Sequence, residues 1–249
     1  MSFQIQMIGT GSAFAKKYYN TNALLISNEF KLLIDCGFTA SKSLYELGLG
    51  FDQIDGILIT HIHADHVGGL EEAAFRLYYK YRKKIKLFVP ALLAHKLWEN
   101  TLRGGLENAG ENLTSLSDFF DLILLEEGVK SMLHDGLSIE IIETTHIPTK
   151  TSYSLFINDS VFYSADIQFI PGLLLDEVLG KRKCSYILHD CQLKGPAIVH
   201  ATLEQLLTLP TEVHSKIYLM HYEDEMENYI DRAGQMTFLK QHEVYSFGT

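Results

Sequence analysis

Ile57-Leu58-Ile59-Thr60-His61-Ile62-His63-Ala64-Asp65-His66 is the stretch whose reading decides the fold. It opens on isoleucine and leucine, the composition of a buried strand, and its last six residues hold three histidines and an aspartate. A strand that runs straight into such a turn delivers four nitrogen and oxygen donors to one place. These are the donors that zinc takes in catalytic sites, where three protein ligands leave a position open for substrate. Four of them are enough to serve two ions. A lone histidine would read as an ordinary core or surface side chain, but this density after an apolar strand has no structural use.

Downstream, Leu70, Ala73, Ala74, Leu77, Tyr78 and Tyr81 recur at helical spacing. They lay one face of a helix on the sheet and leave Arg76, Lys80 and Lys83 facing outward. A second helix is expected from Pro90 through Leu93, Leu97 and Trp98 to Gly104-Gly105, since proline suits a first turn and glycine an end. Residues 107–117 show no period and read as an exposed connector or a mobile cover. Strands are expected at 4–8, 23–26, 31–34, 56–59, 85–89, 137–143, 154–157, 161–164, 186–188 and 216–220, with turns such as Asn158-Asp159 between them. Strands alternating with amphipathic stretches give an α/β protein rather than an all-α or all-β one. We expect one domain over 1–249, with a helical and loop excursion at about 90–120.

The 249 residues are 47% hydrophobic and 21% charged with 5 prolines, which excludes a disordered, collagen-like or low-complexity chain. Apolar runs such as Leu122 to Leu125 fall far short of the ~20 residues a membrane span requires. Met1-Ser2-Phe3-Gln4 lacks the basic and apolar regions of a signal peptide, so a soluble cytoplasmic protein is expected, in the host cytoplasm if a phage encodes it. Cys36, Cys184 and Cys191 are odd in number and lack CxxC spacing, which disfavours disulfides and fits a reducing compartment. Lysine and arginine number 21 against 31 acidic residues, a net charge of −10 that opposes attraction to folded RNA. The basic cluster Arg76, Lys80, Arg82, Lys83, Lys84 and Lys86 reads as a solvated helix face with its tail.

At His61-x-His63-x-Asp65-His66 the chain resembles the metallo-β-lactamase superfamily, whose defining motif is His-x-His-x-Asp-His, and the resemblance continues in order along nearly the whole chain. It implies an αββα sandwich. It also implies that Asp35, in Leu32-Leu33-Ile34-Asp35-Cys36-Gly37, orients the metal loop without binding metal. By the same resemblance His146 is the third histidine, Asp166 in Tyr163-Ser164-Ala165-Asp166 the bridging carboxylate, and His221 in Tyr218-Leu219-Met220-His221 the last histidine. One metal would take His61, His63 and His146, the other Asp65, His66 and His221, with Asp166 bridging. Two zinc ions are the default; manganese or iron also suit nitrogen and oxygen donors. His63 favours a hydrolase over the diiron redox members, which resemble this pattern with glutamate at that place.

Met7-Ile8-Gly9-Thr10-Gly11-Ser12-Ala13 and Tyr19-Asn20-Thr21-Asn22 resemble the RNase Z branch of phosphodiesterases. Ile187-Leu188-His189-Asp190-Cys191 is similar to that branch's His-Glu-Ala-Thr element with Asp190 at the glutamate, and His200-Ala201-Thr202 is similar to its second histidine element. His200 with Asp190 is the implied acid-base pair, since a carboxylate fixes an imidazole's tautomer and raises its basicity. A buried histidine-aspartate pair with no catalytic part is the competing reading. Asp65, His200 and Asp190 are therefore the catalytic candidates.

Only Ile147 to Ala165 separate the third histidine from the bridging aspartate, too few for the arm that clamps tRNA in that branch. By size and architecture the chain resembles compact members acting on cyclic nucleotides, among them phage anti-Pycsar enzymes. In this reading the loop Phe14-Ala15-Lys16-Lys17-Tyr18-Tyr19 lies near the metals, and Lys16, Tyr18, Tyr19 and Asn20 are substrate candidates through ring stacking and phosphate contact. Tyrosines that merely pack the loop are the alternative. The expected activity is hydrolysis of a 3′,5′-cyclic nucleotide by a dinuclear zinc site. Hydrolysis of a thioester or lactam, trimming of RNA 3′ ends, and sequestration of a nucleotide under residues 104–117 compete with it. The expected partner is a small nucleotide, without membrane or structured nucleic acid. A homodimer is implied, with Trp98, Phe119 and Phe120 either at its surface or in the core.

Overall fold

The computed structural model describes residues 3–248. In chain order the first strands are β1 (Phe3–Gly9), β2 (Asn22–Ser27), β3 (Phe30–Ile34), β4 (Gly56–Leu58), β5 (Lys86–Pro90) and β6 (Asp121–Leu125). There follow β7 (Ser131–His134), β8 (Leu137–Thr144), β9 (Ser152–Ile157), β10 (Val161–Tyr163), β11 (Tyr186–Asp190), β12 (Ile217–Met220), β13 (Thr237–Phe238) and β14 (Val244–Phe247). They form two sheets, ordered β14-β1-β2-β3-β4-β5-β6 and β13-β12-β11-β10-β9-β8-β7. The last strand thus pairs with the first, antiparallel, from Phe3 opposite Phe247 to Gln6 opposite Val244.

Alternation of side chains splits each strand between two interiors. On β11 and β12, Ile187, Ile217 and Leu219 face a helical layer holding Leu174, Val178, Leu203 and Leu206. Leu188 and Met220 turn the other way, into the space between the sheets. There the Phe247 ring of β14 lies 5.0 Å from Tyr186 and 6.0 Å from Tyr218, tying one sheet to the other. Helices at 70–81 and 91–106 cover the first sheet through Leu70, Ala73, Ala74, Leu77, Leu93, Leu97 and Leu102. The layers are helix, sheet, sheet, helix: the αββα sandwich.

All ten expected strands are present. β6, β7, β13 and β14 went unpredicted, and they are the four sheet edges. The helix 70–81 exposes Arg76, Lys80 and Lys83 as its spacing predicts, and Arg76 pairs with Glu72 at 2.6 Å. The second helix corrects its expected end. It runs on to Leu106, and Gly105 lies inside it because a Cβ there would meet the Glu71 carboxylate at 2.0 Å; the glycine admits the neighbouring helix rather than stopping its own. Trp98, Phe119 and Phe120 are buried core residues, so the surface reading of them fails.

Of the two readings of residues 107–117, the exposed connector holds, since 107–112 are all exposed. The segment folds as a short turn, Ala109–Glu111, and the start of a helix, Leu116–Phe119, with Leu113 and Leu116 buried. The Tyr79 hydroxyl donates to Glu111 at 3.0 Å and Lys84 to the Ser117 carbonyl at 2.6 Å, which docks the segment on the tail of the helix 70–81. Asn158 and Asp159 both take left-handed backbone (φ 49° and 53°), which these residues tolerate in a turn. The three cysteines are free and buried, and among the described residues no helix is long and apolar enough to cross a membrane.

One polar tie crosses from helix to second sheet. Arg182, beyond the helix Leu173–Lys181, donates two hydrogen bonds to the buried Glu140 of β8 (2.8 and 2.6 Å) and lies over the Phe156 ring at 4.5 Å. Arg182→Ala leaves that carboxylate without its cation and is expected to cost about 2 kcal/mol in urea unfolding. Adding Glu140→Gln should recover part of the loss by removing the unpaired charge; an Arg182→Ala protein as stable as the parent would contradict this.

Candidate metal centre

β3 to β6 run parallel in the first sheet, and β10 to β13 in the second, where β8 points the same way as β10 across the antiparallel β9. Asp35 follows β3, the histidine cluster β4, His146 β8, Asp166 β10, and His221 β12, while Asp190 ends β11. The carboxyl ends of like-directed strands are where α/β sheets gather functional groups. The backbone there is unusual: Asp35 (φ 59°), Ala165 (φ 49°) and His221 (φ 62°) are non-glycine residues in the left-handed region. Such conformations cost energy and persist where the surroundings impose them.

Asp35 is fully buried. One carboxylate oxygen accepts from the Thr60 amide at 2.8 Å, and the other accepts from the Thr60 hydroxyl and from His66 Nδ1, both at 2.8 Å. The imidazole is thereby turned so that Nε2 faces the cluster. Asn22 accepts from the Gly37 amide at 2.7 Å and donates to the Asp65 carbonyl at 3.3 Å, joining β2, the turn after β3, and the metal loop. Gly37 is obligatory here, because a Cβ would lie 1.9 Å from the Asp65 carbonyl oxygen.

Of three overlapping donor groups among the described residues, two consist wholly of the expected ligands, and the third joins Asp166 and His221 to Asp190 and His200. His61, His63, His146 and Asp166 form one of the two, and Asp65, His66, His221 and Asp166 the other, each with its ligand atoms within 4.8 Å of one another. Asp166 belongs to both through different oxygens. Its Oδ2 lies 3.7 Å from His61 Nε2 and from His146 Nε2, and its Oδ1 lies 3.3 Å from His66 Nε2 and 3.4 Å from His221 Nε2. His66 Nε2 and Asp166 Oδ1 are buried without an aligned hydrogen-bond partner. Unpaired buried donors and acceptors converging from several elements are what a cation site requires, and these residue types fit a divalent metal.

Electrostatics agree. Burial disfavours charge on His66 and His221, yet Asp166 and its neighbouring carboxylates outweigh it and hold both well above the usual imidazole range. Burial pushes Asp166 up, but His221 and His66 hold it well below the usual carboxylate range. His61 is held low by burial and by His66, and His63 falls to about 4 through burial and His146. Ionised carboxylates are thus kept where positive charge converges.

Asp190, fully buried, lies against this cluster. Its Oδ2 accepts from His200 Nδ1 at 2.7 Å and from the Ile167 amide at 3.1 Å, while Oδ1 is 3.5 Å from His221 Nδ1. The His200 ring rests 4.7 Å from His146 and 4.8 Å from His221. Burial opposes its protonation, but Asp190 prevails and raises its pKa.

The loop candidates are placed elsewhere. The Lys16 and Lys17 amides donate to Asp224, the Tyr18 hydroxyl to Glu227, and the Tyr19 hydroxyl to Glu46, and buried Asn20 exchanges hydrogen bonds with Thr39. The Tyr18 and Tyr19 hydroxyls and the Asn20 side chain are therefore engaged in anchoring the loop, whereas of Lys16 only the backbone amide is so held. Ser12, Ala13, Phe14 and Ala15 of this loop line a cavity of about 430 Å³ shared with His200 and His221, and Phe14 is 86% exposed. His63 borders a second cavity of about 430 Å³ with Lys96, Asn100 and Lys150, whose Nζ is 3.5 Å from His63 Nε2. Sequence reasoning missed Lys96 and Lys150, and its one signal for Lys150 was a position four residues beyond His146.

A family model described as anti-Pycsar protein Apyc1 matches residues 3–245. A protein of that name from Paenibacillus xerothermodurans is 59% identical over 247 residues, covering 99% of this chain and 98% of that one. Another, from Bacillus phage 010DV004, is 41% identical over 259 residues, covering 98% of each. Among solved structures, the metallo-beta-lactamase fold protein YhfI from Bacillus subtilis superposes with a TM-score of 0.76 at 14% identity, covering 99% of this chain and 100% of that one. The sandwich described above is thus the metallo-β-lactamase fold.

Asp35→Ala frees the His66 ring and removes the carboxylate behind it, so divalent-metal affinity is expected to fall roughly 10- to 100-fold. Zinc titration in competition with a chromogenic chelator measures this, and a parental Kd would refute the role. Chelation of the parent protein should lower its Tm, with recovery on adding metal, since a ligand of the folded state alone stabilises it.

Proposed function

Because this chain belongs to the anti-Pycsar Apyc1 family, we propose that it is a phosphodiesterase that hydrolyses a 3′,5′-cyclic nucleotide. The observation that carries this reading is the Asp190–His200 pair set against two donor groups that share Asp166. His61, His63 and His146 would hold one divalent ion and Asp65, His66 and His221 the other, zinc by default, with Asp166 common to both. Two such ions neutralise a phosphodiester and supply a nucleophile at neutral pH.

The chain's own groups do the rest. Asp35 and Thr60 hold His66 and His61 in their orientations, so the donors need no rearrangement when substrate arrives. Asp65, backed by the Asn22 clamp, positions the attacking oxygen. His200, its Nδ1 fixed on Asp190, offers the other ring nitrogen to the ester oxygen that leaves phosphorus. The Asp190 carboxylate favours a proton on this ring, which suits an acid that gives it up as the P–O bond breaks. Water is consumed, one ester bond is cut, and a linear nucleotide monoester forms.

Nothing extends between His146 and Asp166 except β9, β10 and their turns, which supports a small substrate over folded RNA. The net charge of −10 supports it too. The relatives' name, and those from phages, fit removal of a cyclic nucleotide signal in the cytoplasm. We take the chain as one domain that works as a homodimer, a reading light scattering tests directly.

The test of function is a panel of 3′,5′-cyclic nucleotides incubated with zinc-loaded protein, with products followed by chromatography. Asp65→Ala and His66→Ala are expected to abolish turnover while leaving the far-ultraviolet circular dichroism unchanged. His200→Ala should lower kcat about 10²- to 10⁴-fold. Faster cleavage of a thioester or lactam than of any cyclic nucleotide would overturn the reading in favour of acyl transfer.

A further inference from the structure

We propose that Phe14 is the platform on which the substrate's nucleobase stacks, fixing the direction in which a nucleotide lies across the metal centre. The inference rests on the functional reading above and deepens it.

Its first support is the exposure of Phe14. A phenylalanine side chain is normally withdrawn from water, and this one is 86% exposed although its neighbours are well anchored. The Ser12 amide donates to the Tyr222 carbonyl at 2.9 Å, and Asp224 takes the Lys16 amide at 2.8 Å and the Lys17 amide at 2.7 Å. The loop is thus pinned on both sides of Phe14. A ring carried into solvent on a pinned backbone is open to a flat apolar partner, with little backbone left to order on binding.

The second support is what the ring faces. Phe14 and the His200 and His221 rings border the same cavity of about 430 Å³, a volume that admits a nucleoside, so a group stacked on Phe14 is next to the centre that would hold the phosphate.

The third support is charge. Glu223, Asp224 and Glu225 border this cavity, Glu225 being paired with Lys194 at 2.6 Å, whereas Lys96 and Lys150 border the cavity at His63. An acidic wall repels phosphate and tolerates a neutral base; a basic wall does the reverse. The two sides therefore admit a nucleotide in one direction, with its base toward Phe14.

The experiment compares 3′,5′-cyclic nucleotides with the base-free analogue methyl ribofuranoside 3′,5′-cyclic phosphate, on the parent, Phe14→Ala and Phe14→Trp. Aromatic stacking of one base corresponds to roughly 5- to 100-fold in binding. Phe14→Ala is expected to raise KM for the nucleotide about tenfold or more with little change in kcat. The kcat/KM ratio of nucleotide to base-free analogue should fall by at least fivefold, and Phe14→Trp should restore it. An unchanged ratio, or equal loss on both substrates, overturns the proposal, since a ring that only packs the loop would affect both alike.

A second readout stands apart from cyclic nucleotide turnover. Free nucleosides are expected to inhibit hydrolysis of bis(4-nitrophenyl) phosphate by the parent and to lose potency against Phe14→Ala. Should the parent cleave the generic diester but no cyclic nucleotide, the functional reading falls. Nucleoside inhibition that depends on Phe14 would still support the platform, and inhibition indifferent to it would refute it.

Discussion

The buried carboxylate of Asp35 is the contact on which the rest of the centre depends. An ionised carboxylate removed from water is costly unless its lone pairs are met, and here three donors meet them, two from Thr60 and one from His66. Burial still pushes its carboxyl up against those bonds. The same three contacts set the end of β4, the direction of the following turn and the orientation of one imidazole. Asn22 and Gly37 then fit the turn after β3 against that loop so closely that no side chain can be added at Gly37. The geometry of the donors is thus determined beneath them, by groups that face away from any ligand.

The sandwich explains why donors so far apart in the chain meet. Strands pointing one way present their carboxyl ends to one rim, and each contributes one or a few side chains there. The first sheet supplies a dense local cluster, while the second supplies single residues, His146, Asp166, Asp190 and His221, each at a strand end or within three residues of one. Left-handed backbone at Asp35, Ala165 and His221 marks where the chain is bent away from its easiest path to achieve this.

What was legible in the sequence follows from this arrangement. Inner strands are flanked on both sides and mostly buried on both faces, so Leu24, Leu33, Ile57 and Leu188 stand in apolar runs that announce themselves. The four edges carry mixed patterns: β14 exposes Val244 and Ser246, and β7 exposes Met132 and His134. Their pairing is decided by a neighbour distant in sequence rather than by their own composition. The metal donors were legible because chemistry concentrates them in motifs. The loop before β2 borders the cluster as expected, but which of its rings does so was not legible, because tyrosine carries both a ring and a hydroxyl. Tyr18 and Tyr19 use their hydroxyls on Glu227 and Glu46, and the plain ring of Phe14 is left beside the cluster. Lys150 belongs to no pattern, since its place beside His63 comes from a turn joining two strands of the other sheet.

Pairing of β14 with β1 has a consequence in time. Those partners are separated by nearly the whole chain, and long-range pairing is slow to form. A ribosome adding about 5–20 residues per second makes the entire histidine cluster well before it makes His221 or β14. Through most of its synthesis the nascent polypeptide therefore carries an open first sheet and an incomplete ligand set. The ligand set and the rim of the first sheet are completed only by the tail, and a message cut short near its end yields a chain with a raw edge along β1.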